Sequence, residues 1–155
     1  MSLRKGRQRQ GGLILLVVLL FIAVSSLASS ALVVAHETQS RREKEQQLLF
    51  VGDQFRQAIQ RYYNTVPPGG ARSFPASMDD LIEDRRFPIP VRHLRRIYID
   101  PMTGRADWQF VHAGGGITGV HSSSTREVLK TKDFPKGYEQ FESAGTYADW
   151  VFLAR

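Results

Sequence analysis

"LILLVVLLFIAVSSLASSALVVA", residues 13–35, contains no charged side chain. As an α-helix rising 1.5 Å per residue it would be about 34 Å long, enough to cross about 30 Å of hydrocarbon. Arg4, Lys5, Arg7 and Arg9 precede it with no acid among them. The positive-inside rule therefore predicts a transmembrane helix over 13–35, with a basic leader (1–12) in the cytoplasm and the rest across the membrane. A cleaved secretory signal is the competing reading. Leu13–Val24 has the length of its apolar region, and Ser25–Ala31 supplies small residues for a cleavage site. Apolar character resumes at Ala31–Ala35 and runs straight into a helical pattern, which favours a retained anchor.

Two readings stand for the small residues inside this run. Their hydroxyls bond back to the helix and are tolerated, or Ser26, Ala28, Ser29 and Ser30 give neighbouring helices a close-approach face. Beyond the run, residues 36–64 continue without proline. Leu48, Val51, Phe55, Ala58 with Ile59, and Tyr62 recur at steps of three and four, which draws one apolar stripe along a helix. The expectation is a single helix of about 50 residues and about 75 Å. Its polar stretch Arg41–Gln47 is expected to be exposed, and its amphipathic part must have a domain packed on it. Gly52 costs only about 1 kcal/mol against alanine, so it need not interrupt the helix; it is expected to pack against the sheet.

Residues 65–155 read as an α+β head. Pro67, Pro68, Gly69, Gly70 and Pro75 end the helix. Ser77 with Asp80 three residues on resembles a capping box opening a short helix to about Arg85. IYID (97–100), ADWQFV (106–111) and ITGVHS (117–122) alternate with turn signals, and the first pair is linked by Asp100-Pro101-Met102-Thr103-Gly104. A meander of antiparallel strands, joined by a terminal strand at ADWVFLA (148–154), is the simplest arrangement.

The net charge of +6 is uneven. With the four leader residues set aside, 17 basic residues face 15 acidic ones, so no basic surface for nucleic acid is expected. The absence of cysteine excludes disulfides, thiolate nucleophiles and Cys-ligated zinc. Gly114, Gly116 and Gly119 match GxGxxG, but a strand-like segment follows them where a dinucleotide fold requires a helix. His36, His93, His112 and His121 have no metal-ligand spacing. Asp133, Glu139, Glu142 and Asp149 lack the alternation of a calcium loop, although a long loop here leaves calcium open as a way to order it. The acids Asp79, Asp80, Glu83 and Asp84 read as a solvated helix face. No catalytic residues, cofactor or metal ligands are assigned, and the chain is expected not to be an enzyme.

The order of parts resembles a type IV pilin-like protein, most closely a pseudopilin of a bacterial type II secretion system. The resemblance is carried by "REKEQQLLFVGDQFRQAIQRYY" (42–63), "FPASMDDLI" (74–82), "RHLRRIYIDPMTGRADWQFV" (92–111) and "GGITGVHSSS" (115–124). It implies a long helix packed on a small antiparallel sheet, removal of the leader by a prepilin peptidase between Gly12 and Leu13, and N-methylation of the new first residue. It implies as partners other pseudopilin or pilin subunits, an inner-membrane secretion platform and the lipid bilayer, in a bacterial inner membrane with a periplasmic head. The family's glutamate at the fifth mature position is absent, for Val17 stands there. That departure points to a minor or tip position, a variant assembly or weakened processing. The alternative is a single-span inner-membrane anchor displaying a periplasmic binding or sensing domain.

Overall fold

The computed structural model describes the backbone of residues 8–154, and the side chains of residues 12–23 and 36–154. Helix α1 is Gln8–Asn64 and α2 is Asp79–Ile82; β1 is Gln109–Ala113, β2 is Gly116–His121 and β3 is Phe152–Leu153. Short 3₁₀ turns occupy Glu139–Ser143 and Tyr147–Asp149. The chain divides into two compact units, residues 1–40 and 41–155.

Among the described residues, no helix is long and apolar enough to cross a membrane. This overturns the transmembrane helix expected over 13–35, and with it the single-pass placement in a bacterial inner membrane. Within the residues whose side chains are described, the apolar stretch is 13–23, about 16 Å of helix against a hydrocarbon core of about 30 Å. The fold class is α+β with one three-stranded antiparallel sheet, without the membrane-spanning part.

In the second unit, the part of α1 within it supplies one wall of the core. Leu48, Val51, Phe55, Ala58, Ile59 and Tyr62 are all buried, against Leu81, Leu94, Met102, Trp108, Ile117, Val120 and Phe152. Each large apolar side chain fully removed from water contributes about 1.5–3 kcal/mol, so this stripe is a large share of what holds the head together. Phe55 meets Trp108 edge-on at 5.1 Å, and Trp150 stacks on Phe141 at 5.5 Å with the rings 3° from parallel.

The sheet has order β1-β2-β3. Its hairpin turns at Gly114 and Gly115, both with positive φ, and Phe110 pairs with Val120. Strand β2 is the central one and is buried along Gly116–Val120, while β1 is mostly exposed. IYID forms no strand, contrary to expectation. Tyr98 and Asp100 turn inward and Ile97 and Ile99 outward, so the alternation is that of an extended segment that never joins the ladder. Trp108 Nε1 donates to the Tyr98 carbonyl at 2.9 Å, and Asp100 is taken up by its own turn.

The short helix is also shorter than expected. Asp80 Oδ2 accepts from the amides of Ala76 and Ser77, each at 2.9 Å, which is half of the anticipated capping box. The helix stops at Ile82 because Asp84 pairs its backbone with Val91, an antiparallel bridge that helical dihedrals forbid. Glu45 breaks the expected exposure of Arg41–Gln47, for it is buried.

Gly52 lies where β3 meets α1. A Cβ there would collide with the ring of Phe152, itself completely buried. Gly52→Ala should therefore destabilise the head by about 1–3 kcal/mol despite alanine's better helix propensity, because overpacking outweighs it. Urea unfolding followed by Trp fluorescence measures this; an unchanged or raised midpoint would contradict the close packing.

Candidate functional site

Gly12 and Leu13, the proposed cleavage pair, lie inside α1 and are exposed. Two adjacent glycines, Gly11 and Gly12, each weaken the helix there by about 1 kcal/mol relative to alanine. Ser26, Ala28, Ser29 and Ser30, the expected packing face, lie outside the residues whose side chains are described. From Leu13 to Ile22 every side chain is large, apolar and exposed, from 47% at Val18 to 73% at Phe21. Val17 belongs to this set. A helix apolar on all sides requires cover from something outside itself.

The polar groups of the head are organised for stability. Asp84 is fully buried and pairs with Arg86 through Oδ1–Nε at 2.9 Å and Oδ2–Nη2 at 2.7 Å, while His93 Nε2 lies 3.0 Å from Oδ2. The same guanidinium donates to the carbonyls of Tyr62 and Thr65 at 2.9 and 3.1 Å and lies 3.6 Å from the Tyr62 ring centroid. Arg86 thereby satisfies carbonyls that the end of α1 leaves open, and Asp84 balances its charge. Burial raises the Asp84 pKa, but the hydrogen bonds from Arg86 and His93 outweigh it and hold the carboxyl at about 2.

A second carboxylate ties the long C-terminal loop to α1. Glu45 Oε1 accepts from the amides of Leu129 (2.7 Å) and Lys130 (3.0 Å) and from the Tyr147 hydroxyl (3.0 Å). Asp53 similarly receives the Tyr138 hydroxyl at 2.5 Å and Arg56 at 2.8 Å. Burial and the bond to Asp53 push the Tyr138 phenol up to about 12. A cleft of about 410 Å³ lies beside Glu45, edged by Arg42, Lys130, Lys132 and Asp133. Its charges are mixed.

The remaining motifs have structural explanations. Added Cβ atoms at Gly116 and Gly119 would lie 2.8 Å from the carbonyl oxygens of Phe74 and Phe152, so these glycines permit backbone contact. His112 pairs with Ile117 and His121 with Gln109, which keeps the two imidazoles apart along the hairpin. Among the described residues, no three acidic or histidine side chains gather to hold a metal ion. Asp149 accepts from Thr146 and Gly145, and Glu139 from Gly137. The long loop owes its order to Glu45 and to the packing of Phe134, Phe141, Tyr147 and Trp150.

Sequence reasoning missed Glu45 and Arg86. A signal for Glu45 existed, since position 45 extends the stripe of 48, 51 and 55 by one turn. Nothing local marked Arg86 among the neighbouring arginines.

Arg86→Leu should cost about 3–5 kcal/mol in urea unfolding, because it leaves the buried Asp84 carboxylate short of its cation. Arg86→Lys should recover part of the loss. Asp84 has a folded pKa of about 2 against an ordinary 3.8. Its contribution, on the order of 2 kcal/mol, is present above pH 3.8 and lost as the pH falls toward 2. Asp84→Asn should flatten that part of the urea-midpoint profile; an unchanged acid slope would show that other groups carry it. No family model, curated protein or solved structure matches the chain.

Proposed function

We propose that this chain is a structural subunit of a pilus-like fibre, of the pseudopilin kind that assists type II secretion, and that its role is assembly with no catalysis. The observation that carries the reading is the exposed apolar surface of Leu13–Ile22. Apolar surface of this extent marks an interaction site. Other helices of the same kind, packed side by side, bury every face of such a segment at once. The loss of residues 1–12 at Gly12–Leu13 by a prepilin peptidase would bring that surface to the very start of the mature chain. Val17 in place of a glutamate removes one charge-based docking contact, which suits a variant assembly in which copies of this chain pack through the apolar surface alone. Other pilin-like subunits and the assembly platform of the secretion system are the partners this role requires.

The chain has no cysteine, so introduced ones report cleanly. Leu16 and Val18 lie about 200° apart around the helix. The full chain carrying Leu16→Cys and Val18→Cys should give, on mild oxidation at micromolar concentration, a ladder of disulfide-linked oligomers well beyond the dimer. Persistence as a monomer would overturn the assembly reading. Intact mass after co-expression with a prepilin peptidase should fall by residues 1–12, and an unchanged mass would remove the processing claim.

A further inference from the structure

Residues 85–99 carry five arginines and no acid before Asp100. Arg86 is committed to Asp84, and Arg85 pairs with Glu83 at the surface. Arg92, Arg95 and Arg96 remain exposed. Between and beside them Ile89, Ile97 and Ile99 are 82%, 38% and 59% exposed. The segment is irregular, yet buried His93 and Leu94 pin it, with amides donating to the Leu81 carbonyl at 2.9 and 2.7 Å. Arg61 also donates to the His93 carbonyl at 2.8 Å. A pinned segment carrying exposed arginines and isoleucines has the composition of an interface centre.

Elsewhere on the same unit, the turn Glu139–Ser143 offers two exposed acids, Glu139 and Glu142. Near it a small hollow is lined by Gly137, Gln140 and Leu153, with Lys136 and the Asp53-paired Arg56 at its edge. The two surfaces attach to α1 at different levels. The basic segment is tied to Tyr62 through Arg86, and the acidic turn to Asp53 through Tyr138. Nine residues of helix separate these anchors, about 14 Å along the axis. Patches of opposite charge held at different levels of one helix suit a contact between copies, and because the two surfaces differ that contact is head-to-tail.

We infer that the occupant of the Arg92–Ile99 surface is a second copy of this chain, docked through its Glu139–Glu142 turn. This rests on the fibre reading and supplies the contact between heads. Carboxylates meet guanidiniums around the isoleucines, and like patches repel, so each head accepts its neighbour in one direction only.

The test mixes two full-length variants, one with Arg96→Cys and one with Glu142→Cys, under mild oxidation. Both positions are exposed, so folding is preserved. The mixed dimer should exceed each symmetric dimer about tenfold, and the excess should shrink in high salt as exposed charges are screened. Arg95→Glu in the first variant should abolish the excess, and Glu139→Arg in the second should restore it. A statistical mixture of dimers, or reversal without rescue, would overturn the head contact. Such a result together with an intact Leu16/Val18 ladder would leave assembly standing and remove only this interface; loss of the ladder itself would remove the fibre reading.

Discussion

The head depends on one constraint: a sheet of three short strands cannot bury its own apolar face. Strand β3 has two residues and β1 is largely exposed, so neither edge could shield β2. The stripe of α1 from Leu48 to Tyr62 supplies the missing layer, and nearly every other feature is arranged to keep it in register. Gly52 lets the Phe152 ring reach the helix, and Phe55 meets both Trp108 and Tyr98. Remove the stripe and the strands have nothing to fold upon.

Charges secure this layer at three heights. Glu45 reaches the loop after β2, Asp53 and Arg56 hold Tyr138, and Arg86 closes the helix end. Each carboxylate has several donors, which is the condition under which a buried charge is tolerable. These bonds tie each carboxylate to a different segment packed on α1.

The helix stripe and the glycine hairpin were legible because both are local patterns, one of period three to four and one of turn chemistry. IYID shows where such reading fails. Alternation reports that a segment is extended with one side covered; it does not report whether a neighbouring strand is there to pair. The four-residue helix and the membrane span fail for related reasons. Asp84 is drawn into a bridge by a residue beyond two prolines, and an uncharged run by itself does not establish a membrane-spanning helix. Arg86 was illegible because its partners are carbonyls and a ring brought together only by the fold. The apolar run Leu13–Ile22 was visible as composition, but its exposure had to be seen in three dimensions.

The bonds made by Glu45 also bear on the order in which the head is built. Leu129, Lys130 and Tyr147 lie 84, 85 and 102 residues away along the chain. Contacts so distant are entropically costly to form first. The helix and the β1–β2 hairpin, both local, therefore precede them, and the loop closes over a surface already made. Opening should run in reverse, with the segment around Leu129–Tyr147 the first to release while α1 and the hairpin keep their shape. A head built this way would carry its least durable part in the segment far in sequence from its helix, free to be remodelled without dismantling the scaffold.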